Sequence, residues 1–313
     1  GFRGLKLIRP PSPYDDKAYY PVWETAEELG MVCLFHLGIV AAASIAGTVA
    51  VTPGADVSVL THQTKAYVDD AARIEARQDI SVVAHATEDV IVVAAGAAGS
   101  GTVAVGGTLG VVTINGKTFA YIGDNDAGDG EGATARAGGH ILVAASDDTD
   151  VIMIAGSLGA GIGGAGIGAS AQVMVITKDT EAFVGHYSVV DAKANSSTMT
   201  GIYDGGIEDC EFTTLSGFRG LAVQASSSEE TLTVTATAAG GIYAGLAGGF
   251  TLDVIRSETR AFIGADAKVN TDETDRNAAQ SVNVSAVNRV RTISFTGGLA
   301  LGIAGISGAV DVG

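Results

Sequence analysis

The sequence predicts an all-β protein, a parallel β-solenoid (β-helix) of irregular repeats preceded by a short α/β segment of βαβ type. Three observations carry this prediction. A motif returns along the chain: Thr118-Phe119-Ala120-Tyr121-Ile122-Gly123 is echoed by Thr64-Lys65-Ala66-Tyr67-Val68, by Thr180-Glu181-Ala182-Phe183-Val184-Gly185 and by Thr259-Arg260-Ala261-Phe262-Ile263-Gly264. Such repetition marks architectures in which each unit buries itself on the next. The stretches between copies are rich in Val, Ile and Thr and punctuated by Gly, Asn, Asp and Ser, a strand-and-turn vocabulary that disfavours helix. Finally, Gly makes up 44 of 313 residues while aromatics are only 6%. An interior of Val, Ile, Ala and Gly has little bulk and suits thin stacked layers.

The first 38 residues are of another kind. All five prolines (Pro10, Pro11, Pro13, Pro21, Pro53) and the only tryptophan, Trp23, lie within the first 53 positions. Residues 1–9 have a strand-like apolar centre. Asp15 and Asp16 suit a helix cap before the helically spaced Tyr19, Val22, Trp23 and Ala26, and Gly30 suits its end. Met31 to Phe35 then reads as a buried parallel strand with His36 at its C-terminal end.

The repeat region, residues 39–313, follows without a linker. Residues 39–68 align without gaps on 93–122, sharing Gly-Thr-Val-Ala-Val at 47–51 and 101–105. Each unit predicts a first strand ending in Ala (Ile80/Val82/Ala84, Ile141/Val143/Ala145, Leu221/Val223/Ala225, Val282/Val284/Ala286). A polar break follows (Thr87-Glu88-Asp89, Asp147 to Asp150, Ser226 to Glu230), then a second strand running into a Gly/Ala-rich stretch. A third strand leads through a polar turn to the aromatic motif. A unit this long suits about three coils of roughly 20 residues each. About 13 such coils would make a rod on the order of 60 Å long. The aromatic positions are expected to stack inward as a structural ladder, with the motif threonine capping the preceding turn. The alternative makes the rings a platform for sugars.

Net charge is −17, from 18 basic and 35 acidic residues. No basic stripe is available for nucleic acid or an anionic membrane surface. Such acidity fits a soluble extracellular chain or one that collects cations. Asp124, Asp126, Asp129 and Glu131, in the loop after the second motif copy, are candidate calcium ligands, since a hard cation wants clustered carboxylates. The competing reading is a solvated acidic turn and no cofactor. His62, His85, His140 and His186 share no spacing and read as surface or loop residues. Cys33 and Cys210 do not form a disulfide framework. The chain does not begin with Met and ends shortly after a repeat has begun, which reads as an interior piece of something longer.

Two resemblances attach to these residues. Gly1 to Leu7, Asp15 to Glu24, Ala26 to Gly30 and Phe35-His36-Leu37-Gly38 resemble the metal-dependent amidohydrolases of the TIM-barrel type, in the branch that includes decarboxylases. That resemblance implies a metal-ligand role for His36 at a barrel mouth. The family's paired N-terminal histidines and later catalytic Asp have no counterpart here, so the segment is expected to be inactive. Residues 39–313 resemble filamentous-haemagglutinin-like and leukotoxin-like bacterial repeat adhesins, which string Ala-Tyr-Ile-Gly motifs between Gly/Ala-rich β segments. The resemblance implies a secreted or cell-surface protein with a structural or adhesive role and no catalysis by the repeats. Its implied partners are an outer-membrane export pore and a ligand on a host or neighbouring cell. Two alternatives stand beside this: a hydrolase or decarboxylase fragment in residues 1–38, and a Gly-rich membrane-active protein. For the latter, Val151 to Ser170 is an uncharged stretch with Gly159-x-x-x-Gly163 and Gly164-x-x-x-Gly168 spacings. Its acidic flanks and continuing alternation argue against stable membrane insertion.

Overall fold

The computed structural model describes residues 4–7, 32–35, 39–128 and 130–313, and among these every regular element is a strand. Strands β1 (Gly4–Leu7) and β2 (Val32–Phe35) pair in parallel, Gly4 opposite Val32. The helix expected between them lies outside the described residues, as does His36.

The repeats build two large parallel sheets and one small one. The first large sheet comprises β3 (Ile39–Ala46), β6 (Ile80–Ser100), β9 (Ile141–Gly161), β14 (Gly220–Gly241) and β17 (Ser281–Leu301). The second comprises β4 (Val49–Val68), β7 (Val103–Ile122), β10 (Ala165–Val184), β15 (Ala244–Ile263) and β18 (Ala304–Val312). The small sheet is made of β5 (Arg73–Ala76), β8 (Thr134–Ala137), β11 (Val189–Ala192) and β16 (Lys268–Val269). The chain visits the three sheets in turn, and each strand pairs with its equivalent one whole repeat away. The gap-free alignment of residues 39–68 on 93–122 is therefore the register itself: Ile39 lies opposite Val93, and Val49 to Val68 opposite Val103 to Ile122.

One repeat thus gives one layer, not the three coils of about 20 residues that its length suggested. The strands themselves are 20 to 22 residues long in the full layers. Five of them at a spacing near 4.8 Å stack to roughly 19 Å instead of 60 Å. The polar runs expected to break the strands are strand interiors. Thr87-Glu88-Asp89 lies within β6, Asp147 to Asp150 within β9, and Ser226 to Glu230 within β14. The loops after the motif do more than project. The first supplies β8, and the second supplies β11 and an antiparallel hairpin, β12 (Ile202–Glu208) with β13 (Glu211–Leu215). Ile202 and Phe218 of that second insertion cover Ala222 on the outer face of β14.

Between the two large sheets the interior changes character along the strands. At one end Ile80, Val82, Ile141, Val143, Leu221 and Val223 meet Ile122 and Val184 and the alanines of the small sheet, enclosing a three-sided apolar core. Further along, Val90, Val92, Val151 and Met153 face Val112, Ile114, Met174 and Ile176. Beyond these a belt of hydroxyls follows, in which Thr108 donates to Ser170, Ser170 to Ser157, and Thr235 bonds Thr251. The far end is Ala and Gly, where Ala50, Ala98 and Ala104 pack together and the sheets approach to backbone contact. Val151 to Ser170, the stretch weighed as a membrane helix, is the end of β9, a bend at residues 162–164 and the start of β10. Among the described residues no helix is long and apolar enough to cross a membrane.

Candidate functional site: a buried charge cluster between the sheets

Between the two apolar cores lies a belt of ionised and hydroxylated side chains. On the first large sheet the inward positions are Ala86, Asp147 and Ser227 in one ladder and Glu88, Thr149 and Glu229 in the next. Facing them on the second are His62, Gly116, Lys178 and Ser257, then the motif threonines Thr64, Thr118, Thr180 and Thr259. Strand alternation delivers all of them inward, because the residue parity set by Ile80, Val82 and Ala84 runs on unbroken to Glu88, Val90 and Val92.

Lys178 is fully buried, and its Nζ lies 2.5 Å from Glu88 Oε2 and 2.8 Å from Asp147 Oδ1. His62 Nε2 lies 2.5 Å from the other Glu88 oxygen. Thr149 Oγ1 donates to Glu88 Oε2 at 2.7 Å and contacts Asp147 Oδ1 at 3.2 Å, while Thr118 Oγ1 donates to Asp147 Oδ2 at 2.9 Å. Gly116 makes the room for this arrangement. A Cβ there would sit 2.7 Å from His62 Nε2 and 2.8 Å from Lys178 Nζ, so the long side chains above and below close over the glycine.

Burial alone would push Glu88 upward; the hydrogen bond with His62 and the charge of Lys178 overcome it and hold the carboxyl at about 2. Asp147 goes the other way. Burial raises it, the Glu88 charge adds to the rise, and Lys178 only partly opposes it. Burial likewise raises Glu229, which accepts from Ser257 at 2.8 Å and from Ser227, and raises Asp253, which accepts from Thr233 at 2.9 Å.

These shifts have a sign. Carboxyls raised in the fold bind protons more tightly folded than unfolded, so Glu229 and Asp253 contribute most at or below the ordinary carboxylate range, and that contribution is lost as pH rises through their folded values. Glu88, held low, contributes fully above the ordinary carboxylate range and loses that contribution progressively as pH falls from there to about 2. We therefore expect urea midpoints to rise as pH is lowered from 7 to about 4.5 and to fall again toward pH 2. A midpoint that declines steadily from pH 7 downward would contradict this assignment.

His62, Glu88 and Asp147 also offer one ligand atom each within 4.8 Å of one another, the geometry of a small metal site. The Lys178 ammonium, however, sits against both carboxylates and neutralises them in the same place. Asp124 and Asp126 make no comparable group among the described residues. Asp124 Oδ1 accepts from the Asp126 amide at 2.7 Å and Asp126 Oδ1 from the Gly128 amide at 2.8 Å, so their oxygens shape the loop. Asp129 lies outside the described residues.

The histidines read as surface residues divide. His85 and His186 are on outer faces or loops, but His62 joins the charge cluster and His140 is fully buried. The His140 ring takes the Gly220 amide at 3.1 Å on Nδ1 and contacts the Ser197 carbonyl at 2.7 Å through Nε2, pinning the second insertion. Cys210 is a free, exposed thiol.

The motif aromatics stack as expected but on the opposite face. Tyr67, Tyr121, Phe183 and Phe262 form a continuous column with centroids 5.1, 4.9 and 4.9 Å apart and planes within 18°. Strand alternation puts them outward, because Thr118, Ala120 and Ile122 take the inward positions between them. For the same reason the motif threonines face inward and are not turn caps; Thr118 and Thr180 are fully buried, and Thr118 holds Asp147. Phe183 is only 6% exposed although it faces outward, since rings cover both its faces, whereas Tyr67 at the end of the column is 54% exposed. Ring faces spent on each other are not open to a sugar. Phe183→Ala removes two stacked pairs and should cost about 2 kcal/mol, at roughly 1 kcal/mol per pair, visible as a lowered urea midpoint. An unchanged midpoint would show the column to be decorative.

Comparison with known proteins adds no relative: no family model, no curated protein and no solved structure matches this chain.

Proposed function

We propose that the chain is a parallel β-solenoid that serves as a structural or adhesive element of a secreted or surface-anchored bacterial protein, exported through an outer-membrane pore, and that its repeats do no catalysis. The observation that carries this reading is the ladder of equivalents. Every repeat sets its strands in register on the repeat before, and residues such as the aromatic column recur only to stack on their own kind. A chain whose repeated design element is contact with its own copies is organised for extension and stiffness. The resemblance of residues 39–313 to haemagglutinin-like repeat adhesins supports the surface location and the cell-surface ligand, and the strong negative charge suits a soluble, self-repelling exterior.

Protease treatment of intact producing cells tests this directly. The repeat region should be cleaved or shed without lysis, and the purified chain should compete with those cells for binding to a host or neighbouring cell layer. Protection until the cells are broken open would sink the surface assignment, and failure to compete would leave a structural stalk without the adhesive role.

A further inference from the structure

We propose that Lys178 and Asp147 join covalently, through an amide between Nζ and Cγ, clamping the two large sheets to one another. The three groups such a reaction needs are already assembled: an amine, a carboxyl group in contact with it, and a second carboxylate to move the proton. Nζ lies 2.8 Å from Asp147 Oδ1 and 2.5 Å from Glu88 Oε2, and all three side chains are fully buried. Apolar layers close the site on both sides, with Ala84 and Ala145 toward one core and Val90, Ile114 and Ile176 toward the other. Water is kept from both charges, unlike the exposed Lys193–Asp272 pair, whose 2.7 Å contact leaves both groups partly solvated.

The chemistry balances with the residues present. Passing a proton from the Lys178 ammonium to Asp147 Oδ1 converts a buried ion pair into an amine and a carboxylic acid, the neutral forms a low-dielectric interior favours. Burial already biases Asp147 toward its protonated form. The Nζ lone pair then attacks Cγ, and the carbonyl electron pair moves onto Oδ2, where the Thr118 hydroxyl donates at 2.9 Å. Ionised Glu88 takes a proton from the nitrogen now bonded to carbon and returns it to the departing Oδ1 hydroxyl. The Cγ–Oδ1 bond breaks and one water leaves. No oxidant, cofactor or activated donor is consumed, and fixed proximity replaces external activation. His62, against the far oxygen of Glu88, keeps that carboxylate in place. The link would tie β9 to β10 across the bend at residues 162–164 and fasten the sheets midway along their length.

Intact-mass measurement of the purified chain, unfolded in denaturant, tests the proposal. The wild type should weigh one water less than its sequence, and digestion should yield a single branched species containing both Asp147 and Lys178. Lys178→Arg and Glu88→Gln should return the full sequence mass, with the strand spectrum of Glu88→Gln checked by circular dichroism. A folded wild type at full mass overturns the proposal. So does a water loss that maps elsewhere, for example to an aspartate-glycine step, with Asp147 and Lys178 recovered in separate unmodified peptides. Linkage to the same extent in Glu88→Gln would overturn the proton-moving role of Glu88.

Discussion

Lys178→Ala should destabilise the chain by about 3–5 kcal/mol, the range for leaving a buried carboxylate without its partner, since Asp147 loses Lys178 whether the two are ion-paired or amide-linked. The substitution leaves Glu88 and Asp147 facing each other in a dry interior with His62 and two threonine hydroxyls as their remaining partners. Ammonium loss is the cause, not loss of volume, so Lys178→Met should fail nearly as badly. Replacing Lys178, Glu88 and Asp147 together by apolar residues of similar size should recover the part of the loss that comes from unpaired charge, but not the clamp that the amide supplies. Because each layer is held by its neighbours alone, the damage should appear as a split or broadened urea transition, with the layer containing β9 and β10 melting first. A single transition with an unchanged midpoint in Lys178→Ala would show that the cluster is solvated in solution and does not act as a buried unit.

The cluster was the part of the molecule least legible in the sequence, and the reason is physical. Polar runs such as Asp147 to Asp150 are ordinarily turns, and strands of more than 20 residues are rare enough that a break is the natural reading. The signal that was available is parity. Counting by twos from Ile80 passes through Ala84 and Glu88 to Val92 without a slip, which places Glu88 inside among apolar residues. What parity cannot give is the partner, since Glu88 and Lys178 are 90 residues apart and meet only once the two sheets face each other. The register, by contrast, was plain in the gap-free alignment of 39–68 on 93–122, because stacked ladders put like residues on like. The aromatic column was legible as a stack for the same reason. Its side of the sheet was not, because alternation allows either the ring or the Thr-Ala pair to face inward, and the bulk of the rings favoured the wrong choice. The narrow interior at that corner admits Ala120 and Ala182 and leaves the rings outside.

Gly166→Ala should cost about 3 kcal/mol, the upper part of the range for overpacking, although it adds a single methyl group. Gly166 faces inward near the start of β10, where the Ala- and Gly-lined ends of the two sheets lie backbone against backbone. A Cβ at this position would overlap the carbonyl oxygens of Gly159 on β9 and of Gly240 on β14. A flexible side chain could swing aside, but these atoms belong to the backbone of the β9–β14 ladder, two adjacent layers. Retreat would open hydrogen bonds in two layers at once. Gly248→Ala, on the outer face of the adjacent strand β15, meets nothing within 4 Å and should be silent or slightly stabilising, since it only removes backbone freedom from the unfolded chain. The pair separates close approach from composition. Were Gly/Ala richness merely a flexible filler, both substitutions would stabilise the chain alike. A clear loss at Gly166 beside neutrality at Gly248 in parallel urea melts would show that the glycines set the distance between the sheets.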